Sequence, residues 1–410
     1  MKKFIAVAAG LALAGTMATS AMAEVNFSGD ARARAITLQD YAPGGSVSKL
    51  DSRVRLVVSA KAKGGATAKA RIRMADGMWN GGQGATGNAG DDKNIYVDYA
   101  YINVPMGPVS VSAGRQVASF SKWFSWDGRK DRLKMVYKNA GTVVALFYDK
   151  NAELTSPATT TTAATVAGTS STTVNGITTT TPVAGTVDLT TANVSNDWTA
   201  DNDKNGYGIV VKQKLGADWN AKAIAVIVQD ETPTDNNGIV GSVNVSGKAG
   251  PVGLTAEVSM KDYDNSADTQ MGGFAKAVFK TGNVTIGGIA GMTLDGFMVD
   301  DDFGTHMIGN GNNTPITVAP QIGVGGDTVF GVGHVALKVS DALSMDAFLT
   351  FATIDDFADL VEISAGAVYK ISDGAALTVA GGAVIPSWDA SLNLEDDTMF
   401  GAYAKLEVKY

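Results

Sequence analysis

Residues Asp51–Lys63 read DSRVRLVVSAKAK. Asp51, Arg53, Arg55, Lys61 and Lys63 share one parity, and Val54, Leu56, Val58, Ala60 and Ala62 share the other. A helix scatters such charges around its axis, whereas a strand collects them on one face and leaves the opposite face apolar. The alternation recurs along the chain. NFSGDARARA (26–35) sets Asp30, Arg32 and Arg34 against Phe27, Ala31 and Ala33. TAKARIRM (67–74) does so with Arg71 and Arg73, RLKMVYK (132–138) with Arg132 and Lys134, TAEVSMK (255–261) with Glu257 and Lys261, and KLEVKY (405–410) with Lys405, Glu407 and Lys409.

The connections alternate as well. Eight are short and rich in Gly, Asn or Asp, among them KGGAT at 63–67, NAG at 139–141, KTGN at 280–283 and SDGAA at 372–376, and these read as hairpin turns. Between them fall nine longer loops, near 40–49, 76–92, 117–130, 151–204, 230–237, 261–270, 294–325, 354–360 and 386–398. The spacing predicts eighteen antiparallel strands of about ten residues, the length at which a tilted strand crosses a bilayer. Segment 155–195 is Thr-, Ala- and Val-rich and reads as a mobile surface loop, with a receptor-like, strand-bearing or glycosylated loop as the alternative.

The start of the chain, MKK followed by FIAVAAGLALAGTMA and then AMA before Glu24, reads as a secretory signal peptide cleaved after Ala23, leaving residues 24–410 as one domain. A retained helical anchor is the other reading. Beyond residue 23 no apolar run is long enough for a membrane helix. With no cysteine, an exported chain has no disulfide framework. Charge is unevenly placed. Residues 24–140 carry 18 Lys+Arg against 10 Asp+Glu, net +8, and residues 141–410 carry 13 against 31, net −18. All nine arginines lie between Arg32 and Arg132. Because they alternate with apolar residues on strands, nucleic acid is not the expected partner.

In hydrocarbon every backbone N–H and C=O must be paired internally, so strands cross only as a closed barrel. Short turns on one side and long loops on the other are the asymmetry of outer-membrane barrels. The apolar face then meets lipid and the charged face lines water. An arginine at the midplane of the lipid face costs about 2–4 kcal/mol, and several such costs exceed the usual fold stability of about 5–15 kcal/mol. A soluble β-sandwich also alternates along its strands but has no reason to alternate its connections. The expected fold is an all-β, closed antiparallel transmembrane β-barrel of about eighteen strands, with sixteen as the alternative.

Residues 109–139, VSVSAGRQVASFSKWFSWDGRKDRLKMVYKN, resemble the Gram-negative general porins. Gly114-Arg115-Gln116 is similar to the family's strand ending in Gly-Arg, and Arg132 with Tyr137-Lys138-Asn139 to its returning strand. The resemblance implies that the third loop, 117–130, folds into the lumen as a constriction. It departs from the family pattern in being short and aromatic (Phe120, Trp123, Phe124, Trp126), with Asp127 and nearby Asp131 in place of an acidic cluster. The strand count departs too, since eighteen resembles the substrate-specific porins. The C-terminal KLEVKY looks like the barrel-assembly signal, with Tyr410 where Phe is commoner.

The resemblance implies an outer-membrane channel for passive diffusion of small hydrophilic solutes and ions. Its implied surroundings are outer-membrane lipid and lipopolysaccharide, its implied partners the barrel-assembly machinery and two further copies in a homotrimer. The expected pore-lining residues are Arg32, Arg34, Arg53, Arg55, Arg71, Arg73, Arg132 and Lys134. Arg115 is added only because the family places it inside, its parity pointing outward with Val111 and Ala113. Glu257, Asp346 and Glu362 are expected to face this wall, giving a basic constriction that favours anions. A network in which the arginines merely stiffen the wall is compatible with this. The loop aromatics either pack the loop against the barrel or form an apolar strip for solutes. A non-conducting structural or adhesive barrel is the alternative function. No enzyme is expected, since the only histidines, His306 and His334, have no evident nucleophilic Ser beside them. No cofactor or metal is expected either, because Asp300-Asp301-Asp302 lacks the spacing of a calcium loop.

Overall fold

The structure is a computed structural model and describes residues 24–40, 45–79, 95–153, 161–174, 177–190, 203–231, 236–300, 303, 305–309, 315–392 and 394–410. The expected leader, 1–23, and Asp301 and Asp302 lie outside the described residues. Seven strands come first: β1 (Glu24–Gln39), β2 (Val47–Lys61), β3 (Thr67–Met78), β4 (Tyr96–Met106), β5 (Val109–Ala118), β6 (Gly128–Asn139) and β7 (Thr142–Glu153). A separate hairpin follows, β8 (Thr161–Val174) with β9 (Ile177–Thr190). The sheet resumes with β10 (Asp203–Leu215), β11 (Trp219–Asp230), β12 (Gly238–Ala249), β13 (Val252–Tyr263), β14 (Gln270–Thr281) and β15 (Val284–Leu294). It ends with β16 (Thr328–Lys338), β17 (Leu343–Ile354), β18 (Ala358–Ser372), β19 (Ala375–Trp388) and β20 (Met399–Lys409).

Every neighbouring pair in the main sheet is antiparallel, β7 pairs β10, and β20 returns to pair β1. Eighteen strands therefore close into one barrel with no free edge, as the alternation predicts. The seam ends at Tyr410, whose backbone exchanges both hydrogen bonds with Gly29 at 2.8 and 3.1 Å. The eight short connections gather at one end. Several turn on a glycine with positive φ, as at Gly374 (φ 82°), where a Cβ would sit 2.5 Å from the carbonyl oxygen of Lys409.

Outside, the wall presents Leu133, Met135, Leu146, Ile209, Val243, Val258, Ile286, Val329, Leu349 and Ile363, all well exposed. The surroundings that fit such a surface are hydrocarbon. Among the described residues no helix is long and apolar enough to cross a membrane.

Three expectations about the connections are corrected. The β5–β6 loop is 119–127, because residues 117–118 and 128–130 belong to the strands it joins. The 354–360 loop shrinks to residues 355–357, since β17 and β18 pair as far as Ile354↔Ala358. Within 151–204 the chain carries the β8–β9 hairpin, so the strand-bearing alternative holds there. One further loop behaves unlike a solvated connection. Segment 295–327 contributes Phe297, Val299, Met307, Ile308, Ile316, Val318, Ala319 and Ile322 to the main hydrophobic cluster. These pack on side chains of the inward face of β1 and β14–β20: Ile36, Phe274, Phe330, Ile354, Leu360, Val384 and Met399. This part of the barrel holds a dry core inside its wall.

Candidate functional site: the arginine wall and the two loops facing it

Strand register builds the basic wall. Across β1 and β2, Asp30 stands opposite Arg55, Arg32 opposite Arg53 and Arg34 opposite Asp51. Across β2 and β3, Arg55 stands opposite Arg73. With period two, all of these share the inward face, which on this arc also carries Val57 and, at the end of β1, Ile36 and Leu38. Carboxylates then pair most of the guanidiniums. Arg34 grips Asp51 through Nε and Nη2, the latter at 2.6 Å. Asp30 takes Arg55 at 2.8 Å and Arg53 at 3.7 Å. Asp98 on β4, only 5% exposed, receives Arg71, Arg73 at 3.3 Å and Arg129 at 2.9 Å. Arg73 also reaches Asp76 at 3.0 Å. Arg132 makes a two-point pair with Asp149 on β7 at 2.5 and 2.7 Å. Rings complete the packing, with Arg71 4.6 Å above Tyr99 and Arg132 4.1 Å above Phe147. Arg32 differs: among the described residues no carboxylate lies within 4 Å of it, and its Nε has no hydrogen-bond partner.

Lys134 lies on the inward face of β6 with Arg132, at a recess it shares with Lys69, Arg71, Tyr99 and Tyr101. Arg115 does not join the wall. The β5–β6 register runs unbroken through Gly114↔Arg132 and Arg115↔Asp131, so parity keeps Arg115 outward with Val111, Ala113 and Val117. It is 46% exposed and pairs at 3.5 Å with Asp131, which is equally outward. The position is taken instead by Arg129, the one arginine outside the expected set, which is 10% exposed and also pairs with Asp127 at 2.8 Å. Parity gave no signal for it: Arg129 has the outward parity of Asp131 and stands opposite outward Val117, and it reaches Asp98 only because it sits where β6 leaves the loop.

The loop 119–127 makes its contacts with distant strands. Ser121 donates to Glu257 on β13, and the ammonium of Lys222 on β11 donates to the carbonyl of Phe120 while standing 4.2 Å from its ring. Trp123 is fully buried and meets Phe274, Phe297, Phe303 and Phe330 at centroid distances of 5.2–5.9 Å. Phe120 and Phe124 are buried, and Trp126 stays 40% exposed. Packing is thus the role of three of the four loop aromatics. The loop is also tied to segment 295–327, since the Asp300 amide donates to the Trp123 carbonyl at 3.2 Å and the Trp126 amide donates to the Asp300 carboxylate.

Glu257 and Glu362 do not face the arginines across open water, contrary to expectation. Glu257 is 1% exposed and accepts from Ser121, Ser242 and Asn244. Glu362, fully buried on β18, accepts three successive amides of the second loop, His306 at 2.8 Å, Met307 at 3.2 Å and Ile308 at 3.1 Å, and the Ser364 hydroxyl. Both carboxylates anchor loops to the wall, a role that inward parity alone does not reveal. Asp346 remains partly accessible. The histidines flank Phe348 on β17, His306 at 4.7 Å and His334 at 4.4 Å between ring centroids.

Comparison with solved structures places this architecture. OccAB4 of Acinetobacter baumannii superposes with a TM-score of 0.58 over 94% of this chain and 98% of its own, at 9% identity. OccK2 (OpdF) of Pseudomonas aeruginosa gives 0.58 over 94% and 97%, at 8% identity. A BenF-like porin from Pseudomonas fluorescens gives 0.57 over 94% and 98%, at 8% identity. The chain has a porin fold. No protein-family model matches its sequence, and no curated protein is similar to it. The likeness to the porins therefore lies in the barrel and its connectivity, and the arrangement of arginines, aspartates and loops is read from this chain alone.

Proposed function

We propose that this protein is an outer-membrane porin, a water-filled channel for passive diffusion of small hydrophilic solutes and ions that prefers anions at its narrowest point. One observation carries the reading: a closed barrel whose outer face is apolar and whose inner face bears eight arginines on one arc. Loop 119–127 folds into the lumen, and segment 295–327 lies behind it. The support is that both attach to residues of the inward face, Glu257, Lys222 and Glu362. The path for solute then runs between these loops and the arginine wall. Six aspartates (Asp30, Asp51, Asp76, Asp98, Asp127 and Asp149) offset the eight arginines and Lys134 only in part, so the path carries net positive charge and a low-dielectric rim strengthens its field.

The remaining assignments follow the same reading. The leader is removed after Ala23, Tyr410 ends the assembly signal, the short turns face the periplasm, and lipopolysaccharide surrounds the long-loop end. Three copies form the working unit. Planar-bilayer recording tests the central claim. The expected results are stepwise conductance and a reversal potential on the anion side in a KCl gradient, which moves toward zero in Arg71→Ala/Arg73→Ala. A non-conducting barrel would mean that the two loops seal the lumen and that the protein is structural or adhesive. Strong cation selectivity unaltered by the double substitution would overturn the anion preference.

A further inference from the structure

The arginine wall neutralises much of its own charge, and a second group of uncompensated cations lies elsewhere on the inner face. At the short-turn end the β6–β7 turn, the end of β10, the start of β11 and the end of β12 enclose a recess of about 620 Å3. Four lysines line it, Lys138, Lys212, Lys214 and Lys222, together with Asn139, Asn220 and Ser246. No Asp or Glu is among its lining residues. Register forces the lysines together, since Lys212 is directly opposite Lys222 and Lys214 directly opposite Asn220. Like charges facing each other across a strand pair destabilise the sheet. Only Lys222 is relieved, by the Phe120 carbonyl and ring. Lys138, Lys212 and Lys214 are exposed to the lumen, and among the described residues they make no ion pair.

We infer that this recess is an anion-binding site in series with the arginine wall, and that the ligand class it fits is a phosphate monoester of a small polyol. Ammonium groups act as point charges and suit the compact, doubly charged phosphate, whereas planar carboxylates favour the guanidinium fork. The neutral side chains Asn139, Asn220 and Ser246 offer donors and acceptors to hydroxyl groups. No aromatic side chain lines the recess to stack an aromatic acid. The volume lies within the range of small-molecule sites, about 300–1,000 Å3.

This inference rests on the channel reading. The test is block of chloride current through the full-length barrel in planar bilayers. Glucose 6-phosphate is added to either side, with glucose, inorganic phosphate and succinate as comparisons. The expected result is block by glucose 6-phosphate at lower concentration than by succinate or inorganic phosphate, and more readily from the short-turn side. Lys138→Gln/Lys212→Gln/Lys214→Gln should weaken that block about tenfold, from three lumen-exposed charges of modest individual worth. Lys214→Gln alone should weaken it about twofold to threefold. Lys222 is left in place because it holds loop 119–127. Block no stronger than that by succinate assigns the recess to anions in general and overturns the proposed ligand class. Block by glucose 6-phosphate that both variants leave unchanged overturns the site. Absence of any current from correctly folded barrel overturns the channel reading instead.

Discussion

Replacing Glu362 with Gln tests whether a buried carboxylate fastens segment 295–327 to the wall. Oε1 accepts from the His306 amide and the Ser364 hydroxyl, and Oε2 accepts from Met307 and Ile308. In the variant, the less damaging orientation puts the new NH2 on the Oε1 side, where Ser364 can turn to accept from it. His306 then loses its acceptor, at about 1–3 kcal/mol for a buried donor left unpaired. The other two bonds change from charge-assisted to neutral and lose roughly half their strength. Together the loop end is weakened by about 2–4 kcal/mol. Expulsion of the loop does not follow. Phe297, Val299, Met307, Ile308 and Ile316 are each 0–1% exposed, and at about 1.5–3 kcal/mol apiece they hold the segment by on the order of 10 kcal/mol. The expected effect is local opening around 305–309. Hydrogen exchange in detergent, read by mass spectrometry on peptides covering that stretch, should accelerate by about 30- to 1,000-fold. Peptides from β4 and β5 should not change. Exchange at 305–309 that stays within about threefold of the parent protein would refute the anchoring role.

Three further outcomes are expected. Asp98→Asn removes the carboxylate shared by Arg71, Arg73 and Arg129; it should lower barrel stability in urea by about 3–5 kcal/mol while moving the reversal potential further toward anions. Trp123→Ala takes a fully buried ring from the junction of the two loops; a loss of about 3–5 kcal/mol should appear as a lower temperature of conversion from the compact to the unfolded band on electrophoresis, with noisier open-channel current. Arg115→Ala should leave ion selectivity unchanged, because its side chain points outward, whereas Arg132→Ala should reduce anion preference in the same recording.

Legibility in the sequence follows the physics of each feature. Strand alternation is a local property, repeated each time a chain crosses from lipid face to water face, so the barrel, its eighteen strands and every inward arginine except Arg129, which lies on the outward parity of β6, could be read from the alternation. Arg115 shows the rule's strength. Parity put it outside, the family resemblance put it inside, and the β5–β6 register follows parity. What parity does not carry is which inward groups meet. Asp98 collects three arginines from β3 and β6, and Glu362 collects the amides of a loop over fifty residues away. The insertion of segment 295–327 did leave a trace. Phe297, Val299, Phe303, Met307, Ile308, Ile316, Val318 and Ile322 are too many apolar residues for a loop surrounded by water.

The two halves of the inner face explain one another. From β14 to β20 the inward parity holds Phe274, Ile289, Phe330, Val332, Ala352, Ile354, Leu360, Val384 and Met399, residues that would line water at a cost if nothing covered them. Segment 295–327 covers them, and loop 119–127 closes against it through Trp123 and Asp300. The opposite arc cannot be covered in the same way. Its guanidiniums are paired among aspartates but remain in excess, and burying that excess under an apolar loop would cost several kcal/mol per unpaired ion. Water must therefore stay against β1–β6. In the proposed channel the path for solute therefore lies beside the arginines and away from the apolar wall, because one side of the barrel can be dried and the other cannot.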